Sequence, residues 1–171
     1  MTSFTQRVIG AAKLDVHIYE EVEADTTAMR QAMGVVALSS VAAGIGAVGR
    51  EGTLGLFGGL LAALLGWALW AGLTYFIGTR ILPAPQTHAD WGELLRTTGF
   101  AAAPGMLRIL GIVPGLTGLV FFVAAVWMLA AFVVAVRQAL DYTSTGRAVG
   151  VCLIGWLVNG FILGFASLLV R

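Results

Sequence analysis

Charge is scarce in this chain. Asp, Glu, Lys and Arg make up 11% of the residues and hydrophobic side chains 58%, whereas a soluble domain is about a quarter charged. The scarcity is concentrated. The runs 31–49, 52–79, 109–136 and 148–170 hold no charged residue, and roughly 20 apolar helical residues cross a bilayer core of about 30 Å. The chain therefore reads as all-α, a polytopic membrane helical bundle. Lysine is nearly missing: Lys13 stands against nine arginines, and the net charge is +1. No basic patch is present, so nucleic acid is not an expected partner. A single cysteine, Cys152, excludes an intrachain disulfide and a CxxC motif; it reads as a small buried apolar side chain. His17 and His88 are the only histidines, and both lie outside the apolar runs. His88-x-Asp90 is half a metal site at best. No Asp, Glu, Lys or His falls in the middle of a membrane segment, which argues against a proton relay. No nucleophile–base pair is present, and Ser39, Ser40 and Ser167 are expected to bond a carbonyl one turn back. The expectation is a protein with no enzymatic activity, no metal and no cofactor.

What is present divides the chain at about residue 30. Residues 1–30 hold five acids and three bases and lack the apolar core of a secretory signal. Phe4, Val8, Ala12, Val16, Tyr19 and Val22 recur at spacings of three or four, one apolar stripe on an amphipathic helix lying along the membrane surface or against the bundle. Asp25, Thr26 and Thr27 offer N-caps for the next helix. Residues 31–171 form the membrane domain. Its helices are expected over about 29–48, 54–77, 93–113, 115–136 and 147–170. The short Arg50–Glu51–Gly52 turn makes the first two a hairpin, and the stretch TRILPAPQTHADWG is the longest loop.

The third segment is unusual, because it carries Pro104, Gly105 and Arg108 and ends at Pro114. If it spans, five helices place Arg7, Lys13, Arg30, Arg80, Arg96, Arg137 and Arg147 on the N-terminal side, against Arg50 and Arg171. If it lies in the interface, four helices give seven basic residues against three. Both counts put the N-terminus in the cytoplasm; five spans put the C-terminus outside. With five helices Arg108 lies roughly 22 Å deep. It is then expected to snorkel to the far interface, where Glu51 is the available acid. Pro104 would bend the helix, Pro114 end it, and Arg108 anchor it, with contact to an anion or lipid phosphate as the functional alternative.

Small residues are plentiful. Gly55, Gly59 and Ala63 form one ridge, with Gly58, Ala62 and Gly66 beside it, and Gly160 and Gly164 repeat the spacing. Such ridges let helix backbones approach closely, and packing within the bundle is the expectation. Asn159 needs a polar partner on a neighbouring helix. Trp67, Trp70, Trp127 and Trp156 are candidates for a face toward lipid or a partner.

Four stretches resemble the Yip family, the Ypt/Rab-interacting membrane proteins, in its compact bacterial branch. They are YEEVEADTTAMRQAMGVVALSSVAAGIGA, LTYFIGTRIL, WGELLRTTGFAAAPGMLRILGIVPG and WMLAAFVVAVRQALDYTSTGRAVGVCLIGW. The resemblance implies five membrane helices, a cytoplasmic N-terminus, an inner-membrane location and no catalytic site. The family's long cytoplasmic region and its acidic Asp-Leu-Tyr-Gly-Pro type motif have no counterpart in this sequence, so Rab-type GTPase binding is unsupported. The expected function is a non-enzymatic module that organises the membrane or binds protein partners. The alternatives are an accessory subunit of a membrane complex and a small transporter or channel.

Overall fold

The computed structural model describes residues 2–47 and 53–169; the side chains of 53–58, 156 and 159–169 are outside that description. Its helices are α1 (Phe4–Ala12), α2 (Val16–Ala24), α3 (Met29–Gly46), α4 (Thr53–Phe76), α5 (Trp91–Phe100), α6 (Thr117–Ala139) and α7 (Thr145–Leu169). A 3-10 turn, Thr26–Ala28, leads into α3. A π-turn, Ile77–Ile81, extends α4. A 3-10 helix, Ala103–Ile112, continues from α5. Among the described residues three stretches are long and apolar enough to cross a membrane: Thr26–Gly46, Gly59–Ile81 and Thr117–Ala139.

The single N-terminal helix expected from the apolar stripe is two helices. Ser3 and Gln6 form a reciprocal capping box at the start of α1. The chain then turns at Leu14, whose φ of 63° is left-handed, and the Asp15 carboxylate caps α2 by accepting from the His17 amide at 3.0 Å. The stripe survives the break in part: Tyr19 and Val22 are buried and Val8 and Ala12 pack against the same core, whereas Phe4 and Val16 are exposed. Ala11, Ile18, Tyr19 and Val22 share a core with Ala32 and Val35 of α3, Phe100 of α5 and Ala131 and Ala135 of α6.

The hairpin they form does not lie flat along one end of the bundle. Near the turn, the Trp127 indole donates to the Ala12 carbonyl at 2.7 Å. Farther along α2, Gln138 donates to Glu20 at 3.1 Å. Trp127 is the middle of the 23-residue α6 and Gln138 its last turn, about 16 Å apart along the axis. The hairpin thus runs beside α6 from its C-terminal end to its midpoint. Lys13, Asp15 and His17 are exposed at that midpoint.

The third segment occupies the centre. Asp90 and Glu93 form a capping box that starts α5. The helix stops at Phe100 and re-forms as ten residues of 3-10 helix with Pro104 near its start, where a missing amide costs little. It ends at Ile112, before the Pro114–Gly115 turn, where Gly115 has φ +84°. In a 3-10 helix every third residue shares a face. Gly105, Arg108 and Gly111 obey that spacing, and all three meet α3. A Cβ on Gly105 would lie 2.2 Å from the Ser39 hydroxyl. One on Gly46 would lie 1.9 Å from the Arg108 carbonyl, and one on Gly111 2.9 Å from the Gly46 carbonyl.

Candidate functional site: a cationic cavity in the bundle

Arg108 is held along one edge of its guanidinium, through Nε and Nη2. Its Nε donates to the Gly105 carbonyl at 3.0 Å. Its Nη2 donates to the Ser39 hydroxyl at 2.7 Å and the Ser39 carbonyl at 3.1 Å. The Arg108 backbone sits level with Gly46 at the end of α3, whereas Ser39 lies seven residues earlier, about 10 Å back along the helix. The side chain therefore reaches inward, toward the middle of α3, not outward to the far interface as the snorkelling expectation has it. Two features drive the reversal. The 3-10 face brings Gly105 against Ser39 without a side chain between them, and the Ser39 hydroxyl and carbonyl supply acceptors inside the bundle. Glu51, the expected ion-pair partner, lies outside the described residues.

The guanidinium borders a cavity of about 600 Å³ between α3, α4, α6 and the 3-10 helix. Its walls include Ser39, Ser40, Gly59, Gly66, Trp67, Trp70, Phe121, Met128 and Phe132. A second cavity of about 370 Å³ adjoins it between α4 and α6, sharing Arg108, Trp70, Phe121, Met128 and Phe132. Among the described residues no carboxylate pairs with Arg108 and Nη1 has no hydrogen-bond partner.

This cavity explains the small-residue ridge of α4. The expectation was close packing of Gly59 and Ala63 against another backbone. Gly59 is instead exposed, and a Cβ there would meet nothing within 4 Å; Gly66 is equally open. Ser40 reaches only the Gly59 carbonyl, at 3.4 Å. Close packing is found elsewhere, where α3 meets the third segment, and along Ala124, Ala131, Ala135 and Ala139 of α6. The side chain of residue 55 and those of 160 and 164 lie outside the described set.

The tryptophans also divide. Trp67 donates to Thr98 at 3.2 Å, and Trp70 stacks edge-on against Phe132, ring centroids 6.2 Å apart. Both face inward, tying α4 to its neighbours across the cavity. Trp127 is partly exposed but is tied to Ala12 through its indole N–H. The side chain of Trp156 is not described.

Two arginines that sequence reasoning passed over do the polar work at the other end. Arg96 is buried and donates to the Val22 and Glu23 carbonyls, capping the C-terminus of α2. Arg7, also buried, donates to Glu21 and Asp25 at 2.8 Å each and to Gln31 at 3.0 Å, joining both hairpin helices to the head of α3. The helical period had a signal for Arg96. The Asp90-x-x-Glu93 box announces a short amphipathic helix whose buried face includes Leu94, Arg96 and Thr97. Around it, Glu23 is pushed up to about 7 by burial and by the charges of Glu93, Asp141 and Glu20, partly offset by Arg96. Asp25 is held down at about 2 by its hydrogen bonds from Thr27 and Arg7.

Buried arginines, helices long and apolar enough to cross a membrane and a central non-α segment define an α-helical membrane protein. The Yip1 domain family model matches residues 23–167, and the chain belongs to the Yip family. No curated protein and no solved structure matches it.

Proposed function

We propose that this protein is a non-enzymatic Yip-type module that organises the membrane around it, crossing five times with its N-terminus in the cytoplasm and its C-terminus outside. The resemblance of its four stretches to the compact bacterial branch supports a bacterial inner membrane as its location. The lengths support five spans. Besides the three long apolar stretches, α7 has 25 residues. Ten residues of α5 and ten of 3-10 helix extend roughly 15 and 20 Å, together enough for a core of about 30 Å.

The observation that carries the membrane-organising reading is the depth of the N-terminal hairpin. Its turn stands beside the middle of α6 with Lys13, Asp15 and His17 exposed. Charged groups do not remain in hydrocarbon at mid-depth; water and headgroups come to them by local thinning. The protein thus imposes a thin flank on one side of α6. Reconstitution into phosphatidylcholine–phosphatidylglycerol vesicles tests this. The wild type should thin the bilayer locally in cryo-electron micrographs. A Lys13→Leu, Asp15→Asn, His17→Leu variant, which retains a cap on α2, should not. Equal bilayer profiles for the two would refute the reading. Stoichiometric co-purification with a membrane complex in mild detergent would favour the accessory-subunit alternative instead.

A further inference from the structure

An arginine in the middle of a bundle normally finishes its hydrogen bonding inside the protein. Arg108 does so on one side only. Nε and Nη2 are taken by Gly105 and Ser39. Among the described residues Nη1 has no partner, and Arg108 lines both cavities. Trp70, whose ring lines both, holds a buried indole N–H with no acceptor. The remaining lining is aromatic, aliphatic, Met and Gly apart from the Ser40 hydroxyl. The runs 31–49, 52–79 and 109–136, which supply Ser39, Gly59, Gly66 and Met128, hold no Asp or Glu, and among the described residues no carboxylate pairs with Arg108.

We infer that the cavity binds a single-chain anionic amphiphile of the fatty-acid class. Its carboxylate would lie on the Arg108 guanidinium and its hydrocarbon chain between Trp67, Phe121, Met128 and Phe132. Charge complementarity selects the anion, because a guanidinium with free N–H donors in a low-dielectric setting favours a carboxylate strongly. The walls select the chain: a mostly apolar cavity of about 600 Å³ with one placed charge is typical of a small-ligand site. Position selects a carboxylate over a phospholipid headgroup. Ser39 and Met128 are mid-helix residues, and a bare carboxylate carries no polar headgroup to that depth. The second cavity, between α4 and α6, gives a sideways entry from the bilayer. This inference does not rest on the hairpin, and the hairpin variant leaves every cavity residue in place.

The test uses the full-length protein in phosphatidylcholine nanodiscs, with carboxyl-labelled palmitate as the probe. Wild type should bind palmitate saturably and hold its carboxylate ionised, read from the carboxyl carbon shift. Hexadecanol, the same chain without the charge, should bind at least tenfold more weakly. Arg108→Met should weaken palmitate at least tenfold, and Arg108→Lys should retain part of the affinity. Gly66→Leu fills the open wall without touching Arg108 and should weaken palmitate and hexadecanol alike. That variant remains informative if Arg108→Met does not fold. Equal affinity for palmitate and hexadecanol, or no effect of Gly66→Leu, would overturn the inference. Competition by phosphatidylglycerol at equal mole fraction, or by inorganic phosphate, would also overturn it, by showing a phosphate site.

Discussion

At the residue scale, the polar groups matter most where the helices stop. α2 ends with carbonyls that its own backbone cannot satisfy, and Arg96 satisfies two of them from inside the core. Replacing Arg96 by Met would leave those carbonyls buried and unpaired. It should cost about 2–4 kcal/mol, read as a lowered unfolding temperature in detergent, with Arg96→Lys intermediate. A wild-type-like Arg96→Met would show that the cap is dispensable.

Glu23 gives the same region a dependence on pH. Its folded value, about 7, lies above the ordinary value of 4.5. The folded state therefore holds its proton where the unfolded chain has lost it. Stability from this group is full below about 4.5, falls as pH rises through the window to about 7, and stays low above it. Asp25 has the opposite sign, stabilising above 3.8 and losing that as pH falls toward about 2. Glu23→Gln should stabilise the protein at pH 8, by on the order of 1 kcal/mol once water access is discounted, and do little at pH 4. Stabilisation at pH 4 alone would contradict the burial and crowding described. Asp25 was legible as an N-cap, a role it takes by accepting from Thr27, but Glu23 was not. Glu23 sits in an acidic run that reads as solvated, and only the approach of Glu93 and Asp141 from distant positions changes it.

At the scale of elements, the apolar runs announced α3, α4, α6 and α7 closely, because a crossing helix has to be apolar along its length. The third segment was harder. Its prolines marked an irregular helix, but its hand-off from α to 3-10 depends on α3. The spacing of Gly105, Arg108 and Gly111 is visible in the sequence, yet it becomes meaningful only when Ser39 and Gly46 close on it. The α4 ridge divides for the converse reason: Ala63 packs against the core, whereas Gly59 and Gly66 face open space. Small residues permit close approach, but a partner has to arrive, and a cavity lies there. Gly46→Ala, whose Cβ would meet the Arg108 carbonyl at 1.9 Å, should therefore destabilise the fold by about 1–3 kcal/mol or more. Gly59→Ala should be neutral within about 0.5 kcal/mol. Thermal unfolding of the two variants in one detergent decides it, and equal losses would return the ridge to the packed core.

At the scale of the whole molecule, the third segment packs between α3 and α6, buried from Arg96 to Gly105 and exposed at Ile109, Leu110 and Ile112, with the N-terminal hairpin closing one flank. The charge distribution put Lys13 with Arg7 and Arg96 on the N-terminal side, whereas Lys13 stands exposed at the hairpin turn beside Trp127. The distribution did not foresee that the first 25 residues would leave that side and descend beside α6. Periodicity reports which face of a helix is apolar, not how deep the helix stands. In a Cys152→Ser background, a cysteine at position 3 should label from the cytoplasm and one added after Arg171 from outside; labelling of both from one side would remove the five-span arrangement.

The depth of the hairpin is the central claim, and one sample measures it. Spin labels go at positions 13 and 126 of the Cys152→Ser protein in vesicles, Lys13 and Val126 both being exposed. The distance between labels and the access of a water-soluble relaxant to each are read together. The account predicts a short distance, on the order of one helix diameter, about 10–12 Å plus the label arms. It also predicts relaxant access at position 13 well above that at 126. A long distance would place the hairpin away from the middle of α6, and a short distance with position 13 shielded from water would mean that no thin flank forms; either result contradicts the account.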